Sequence, residues 1–136
     1  MIILDASVIV KWFSEEEHTE KALEIREKVR RGEERVIVPD LLLYELSNAL
    51  KYNPNFDADD VKDALTSIFD MEIDIITPIP EIMHTAIGIA FEYDITVYDA
   101  IYVALAKETG SNFITADRRL YERVGELEFV KFIADL

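Results

Sequence analysis

The apolar positions fall into two alternating rhythms along the chain. Short unbroken runs, Ile2 to Leu4, "RVIVP", "IDIIT" and "NFITA", have the length and β-branched character of buried strands. Between them lie longer stretches with apolar residues three and four apart, the spacing of helices that cover a sheet. "HTEKALEIREKVRRG" carries Ala22, Ile25 and Val29 at that spacing and stops at Gly32. "LLLYELSNALKY" and "DADDVKDALTSIFDM" follow, the second with Val61, Leu65, Ile68 and Phe69 expected on one face. Residues 80–93 read as a helix with Pro80 in its first turn, and "YDAIYVALAKETG" as a nearly all-apolar, hence buried, helix closed by Gly110. Near the start, Ser7 is expected to cap a short helix containing Val8 to Phe13. Near the end, a short helix from Asp117 and a final strand around "EFVKF" complete the pattern.

Alternation of this kind predicts a three-layer α/β/α fold with a mostly parallel central sheet, in which the strand Ile2 to Leu4 is interior. No repeat, low-complexity tract or Pro/Gly/Ser linker divides the chain, so residues 1–136 are expected to form a single domain. Ligands of such folds sit beyond the carboxyl ends of the strands.

Four acids stand against this pattern. Asp5 follows the first strand and Asp117 follows "NFIT", so both fall at the same sheet edge if the two strands run parallel. Asp99 opens the apolar helix. Glu45 shares the helical stripe of Leu42, Leu46 and Ala49, which points a carboxylate toward the apolar face. Each acid has an ordinary structural explanation: a cap or dipole partner for Asp99 and Asp117, a turn for Asp5, an ion pair for Glu45. Taken together they point elsewhere. Clustered carboxylates repel unless a divalent cation neutralises them, and hard oxygen ligands select Mg²⁺ or Mn²⁺.

Charge changes the picture next. The chain carries a formal charge of −14, which by itself argues against nucleic acid and favours a basic partner or a bound cation. A cation held by the acids would present positive charge to a phosphate and so answer part of that objection. Half of the residues are hydrophobic and 31% are charged, the profile of a soluble globular protein. The apolar runs are too short to cross a bilayer, and Asp5 interrupts the first before a signal-peptide core could form; a cytoplasmic protein without membrane contact is expected. Cysteine is absent, which excludes disulfides and thiolate metal sites. Gln is absent too, while Glu, Lys and Arg abound, a bias reported for heat-adapted proteins.

"LDASVIVKWFSEEE", "YELSNAL", "TVYDAIYVALA" and "FITADRRL" resemble, in order and spacing, the four acidic motifs of the PIN-domain ribonucleases, most closely the VapC toxins of bacterial and archaeal toxin–antitoxin pairs. The resemblance spans almost the whole chain. It implies metal-binding catalytic acids at Asp5, Glu45, Asp99 and Asp117, with Ser7 and Thr115 as hydroxyl partners of the acidic site. It also implies a Mg²⁺- or Mn²⁺-dependent endoribonuclease acting on single-stranded RNA, a homodimer, and a cognate antitoxin protein as partner.

Basic help near the site could come from Lys11, Arg118 and Arg119, as RNA contacts or as ordinary surface charge. Cleavage through a ribose 2′-hydroxyl is disfavoured, because it usually needs a pair of acid–base groups and the chain holds two histidines in unpromising places. His18 lies in "EEEHTE", a solvated face, and His84 in "EIMHTAI", a helix residue with a local partner. A phosphorylated receiver domain would need an Asp after the third strand, where Thr77 and Pro78 stand. A haloacid-dehalogenase-type phosphatase would need Asp rather than Ser7 two residues after Asp5. A stand-alone PIN endonuclease in RNA maturation and a non-catalytic binding module of the same fold remain as alternatives.

Overall fold

The computed structural model describes residues 1–136 as a parallel five-stranded sheet between two layers of helices. The strands are β1 (Ile2–Leu4), β2 (Val36–Pro39), β3 (Asp74–Ile76), β4 (Asn112–Thr115) and β5 (Val130–Phe132), in the spatial order β3-β2-β1-β4-β5. Every neighbouring pair runs parallel, and β1 is the central strand. The chain builds outward from β1 to β3, then returns to the other side of β1 with β4. The order therefore reverses between β1 and β4, the place where open α/β sheets bind ligands.

Seven helices connect the strands: α1 (Ala6–Ile9), α2 (Thr19–Arg30), α3 (Leu41–Lys51), α4 (Ala58–Asp70), α5 (Pro80–Tyr93), α6 (Val97–Thr109) and α7 (Arg118–Val124). Because side chains alternate across a strand, Ile2 and Leu4 join one core and Ile3 the other. The first core packs α1 to α4 against the sheet through Leu42, Leu46, Leu50 and Ile68, and the second packs α5 to α7 through Ile82, Ala86, Tyr102 and Val124. Helix α6 is buried at seven consecutive positions, Ala100 to Ala106, which explains its unbroken apolar run. No helix is long and apolar enough to cross a membrane.

Three sequence expectations need correction. The segment after Asp5 is not one helix capped by Ser7. It is the single turn α1 followed by a 3-10 turn, Val10–Trp12, with Asp5 in the N-cap position and Ser7 inside. The turn is fixed by burial of Trp12, whose indole N–H donates to the Ala22 carbonyl at 2.9 Å. On α4, Ala64 and Ile68 are buried while Phe69 is 61% exposed, because the helix packs chiefly against α3 and turns Phe69 away from it. On α3, Leu50 takes the buried place expected of Ala49, which is exposed.

Helix ends follow local chemistry. Asp57 and Asp60 form a reciprocal capping box at the start of α4, with both bonds at 2.9 Å. Gly110 ends α6 with φ +66°, a conformation that costs any residue with a Cβ. Neither Gly110 nor Gly88, within α5, has any atom near the place a Cβ would occupy, so substitution at either acts through the backbone alone. Gly110→Ala should therefore destabilise by about 1 kcal/mol, and Gly88→Ala should stabilise by about 0.5–1 kcal/mol. Urea-unfolding midpoints that move the same way for both variants would contradict this assignment of the backbone.

Candidate active site

Asp5 sits where β1 ends, with extended backbone, and its carbonyl accepts the amides of Val8 and Ile9 that begin α1. The turn leaves the side chain 7% exposed and aimed across the sheet edge toward β4. There the Thr115 hydroxyl donates to Oδ2 at 2.6 Å and the Ser7 hydroxyl donates to Oδ1. Those hydroxyls are themselves fixed: Ser7 Oγ accepts the Ala116 amide at 2.9 Å, and Thr115 Oγ1 accepts the Asp117 amide at 3.1 Å. Burial pushes the Asp5 carboxyl up to about 7, against the two hydroxyls that favour its charged form; Asp99 and Asp117 push it further up.

Asp99 lies in the first turn of α6, whose cap is Thr96: the Asp99 amide donates to Thr96 Oγ1 at 3.1 Å. Its carboxyl is held above the usual range by burial and then by Asp117. Asp117 accepts the Leu120 amide at 3.1 Å and so caps α7 while standing at the site. Glu45, one turn into α3, is half-buried and also held up, by burial and then by Asp99, while Tyr102 lowers it. Asp99 is thus in electrostatic range of the other three acids. The structure brings Asp5, Glu45, Asp99, Asp117, Ser7 and Thr115 to one edge, beyond the ends of β1, β2 and β4.

None of the four acids takes part in an ion pair; the salt bridges of the chain all lie elsewhere. The acids are not drawn into a finished coordination shell either, since no three Asp, Glu or His side chains stand close enough to hold a metal ion as they are. Asp5, Glu45 and Asp117 already accept hydrogen bonds from hydroxyls or an amide. As a donor set they are hard oxygens without counter-charge, which fits a small divalent cation.

The basic residues are arranged differently. Lys11 is buried, and its ammonium pairs with Glu16 at 3.3 Å rather than facing solvent. Arg118 and Arg119, at the start of α7, are exposed, Arg118 lying over the Phe132 ring at 4.9 Å. His18 precedes α2 with φ +64° and packs edge-on against Phe132, while His84 is exposed on α5. A cleft of about 530 Å³ lies between α2 and the end of α4, beside Phe13, Arg26 and Met71, and contains none of the four acids.

One site residue escaped the sequence reading. The Tyr102 hydroxyl donates to Glu45 Oε1 at 2.6 Å. The signal was available: a tyrosine inside an otherwise apolar helix needs an acceptor for its hydroxyl. Sitting three residues after Asp99, it lies on the same helix face.

The sign of the pH response follows from the acids. A carboxyl whose folded pKa lies above its unfolded value stabilises the fold below the unfolded pKa, and that contribution is lost as pH rises to the folded value. For Asp5 the window runs from about 4 to about 7, and Glu45 and Asp99 act in the same direction. Metal-free protein should therefore lose stability between pH 5 and pH 7.5, and Asp5→Asn should flatten part of that slope. Denaturation midpoints that rise across the window in the wild type would refute the buried state of Asp5.

Known proteins share this fold. Over 126 residues the chain is 29% identical to Ribonuclease VapC3 of Pyrobaculum aerophilum, covering 90% of this chain and 93% of that one. Among solved structures, a toxin–antitoxin complex from Klebsiella pneumoniae superposes with a TM-score of 0.72 at 16% identity, over 96% of this chain and 95% of the other. VapBC2 from Rickettsia felis, bound to a DNA fragment from its promoter, superposes with a TM-score of 0.70 at 14% identity, covering 97% of each chain. At these identities the structural likeness shows a shared fold. The model of the PIN domain matches residues 2–127, and with its acids gathered at the carboxyl edge of a parallel sheet, the chain belongs to the PIN-domain family.

Proposed function

We propose that this chain is a divalent-metal-dependent endoribonuclease that cuts single-stranded RNA and serves as the toxin of a VapBC-type toxin–antitoxin pair. The observation that carries this reading is the set of four acids at the β1–β4 switch point with no basic side chain paired to any of them. The similarity to a ribonuclease over most of the chain supports the same conclusion. Asp5, Glu45, Asp99 and Asp117 would hold Mg²⁺ or Mn²⁺. When bound, the cation supplies a water of lowered pKa and stabilises charge on the attacked phosphate.

The chain's own residues divide the remaining work. Ser7 and Thr115 hold the Asp5 carboxylate in one orientation by two hydrogen bonds, so that it need not reorganise when charge arrives. Arg118 and Arg119 are exposed next to Asp117, where they can meet RNA phosphates; Lys11 would have to leave Glu16 to do so. Asp99→Asn should lower kcat by about 10²-fold or more, the scale of losing one preorganised electrostatic contact, with the fold intact by circular dichroism. RNA products should end in a 5′-phosphate and a 3′-hydroxyl, and EDTA should stop cleavage. A 2′,3′-cyclic phosphate, or full activity in EDTA, would overturn the mechanism.

The partner reading follows from charge. With a net charge of −14 and an acidic edge, the protein should attract a basic peptide in a salt-sensitive way. An Arg or Lys from the C-terminal segment of a cognate antitoxin could sit among Asp5, Asp99 and Asp117 and replace the cation's charge. Exposed Ile87 and Phe91, one turn apart on α5, support a homodimer. We expect a cytoplasmic homodimer of twice the chain mass, whose cleavage activity the antitoxin abolishes. Excess antitoxin that leaves Mn²⁺ binding and cleavage untouched would refute this mode of inhibition.

A further inference from the structure

Glu45 reaches the acidic edge from a different layer than Asp99. It stands on α3, which packs in the first core, whereas Asp99 is carried by α6 in the second. A half-exposed glutamate with three rotatable bonds, in range of another carboxylate, would by default swing away into solvent. One hydrogen bond opposes this: the 2.6 Å donation from Tyr102 is the sole side-chain bond that Glu45 makes, and no cation pairs with it.

The hydroxyl is placed independently of Glu45. Tyr102 is 1% exposed, and its ring stacks on Phe113 of β4, with centroids 6.0 Å apart and planes 15° from parallel. Core packing thus fixes the donor, and the donor fixes the acid. A buried tyrosine needs some acceptor, but a neutral carbonyl would satisfy it at lower cost than a desolvated carboxylate held toward like charge.

Resting on the metal reading above, we infer that Tyr102 is a positioning residue, which keeps the Glu45 carboxylate at the acidic edge, in electrostatic reach of Asp99, so that an arriving divalent cation finds it there rather than in solvent. It neither meets the RNA nor ligates the metal. Groups that orient metal ligands through hydrogen bonds commonly affect metal affinity or activity by about 10–100-fold.

The test is Tyr102→Phe, which keeps the ring and its stack on Phe113 and removes the hydroxyl alone. Mn²⁺ affinity, measured by calorimetry without RNA, should fall at least about 10-fold, with a changed paramagnetic resonance spectrum of the bound ion and an unchanged cooperative melting curve. With RNA, kcat should fall while KM holds. In a Glu45→Ala background the same substitution should have no further effect on Mn²⁺ affinity, because Tyr102 acts through that acid. Wild-type affinity in Tyr102→Phe overturns the inference, and so does an equal loss in the Glu45→Ala background. Should the wild type itself take up no Mn²⁺, the metal reading fails and this inference fails with it.

Discussion

The parallel pairing of β1 with β4 is the constraint on which the site depends. Leu4 lies abreast of Ile114, so the next residues of the two strands, Asp5 and Thr115, emerge side by side. Their hydrogen bond joins positions 110 residues apart and closes the sheet edge at the point where strand order reverses. Two further site residues are hung from this junction. Ser7 reaches back to Asp5 because α1 starts at once, and Asp117 caps α7 because β4 has just ended. Shift that ladder by one residue and the carboxylate would face a core instead of the edge.

The same junction sets an electrostatic conflict. A carboxyl as buried as Asp5 resists ionisation, and its neighbours Asp99 and Asp117 add to the resistance. The hydroxyls of Ser7 and Thr115 satisfy the oxygens without cancelling the charge. A fold selected for stability alone would place an Arg here or an apolar side chain. Sites of this kind hold destabilising groups that the rest of the fold must outweigh, and two well-filled cores supply that excess.

Much of this was legible in the sequence because it rests on period and on polarity out of place. Strand runs, helix stripes and the stops at Gly32 and Gly110 locate the elements within a residue or two, and the acids at strand ends announce the edge. What was not legible depends on contacts between distant segments. Whether Lys11 lies on the surface was decided by Glu16 and by the tight 3-10 turn, neither of which a charge count reveals. Phe69 and Ala49 have apolar character but fall outside the covered stripe, since helix phase is set by the layer above and not by composition. Tyr102 was hidden by its own helix, whose apolar run made a polar atom easy to overlook.

The central strand has a further consequence in time. A ribosome delivers β1 first, but the strand that completes its other flank, β4, leaves the exit tunnel only after more than 100 further residues have been made. Until then Asp5 has neither the Thr115 hydroxyl nor Asp117 beside it, and contacts so remote in sequence are slow to close. A nascent or truncated chain ending before β4 therefore lacks the Asp5–Thr115 junction and Asp117, whatever its first hundred residues have folded into. The acidic edge is complete only once the last strands of the sheet are in place.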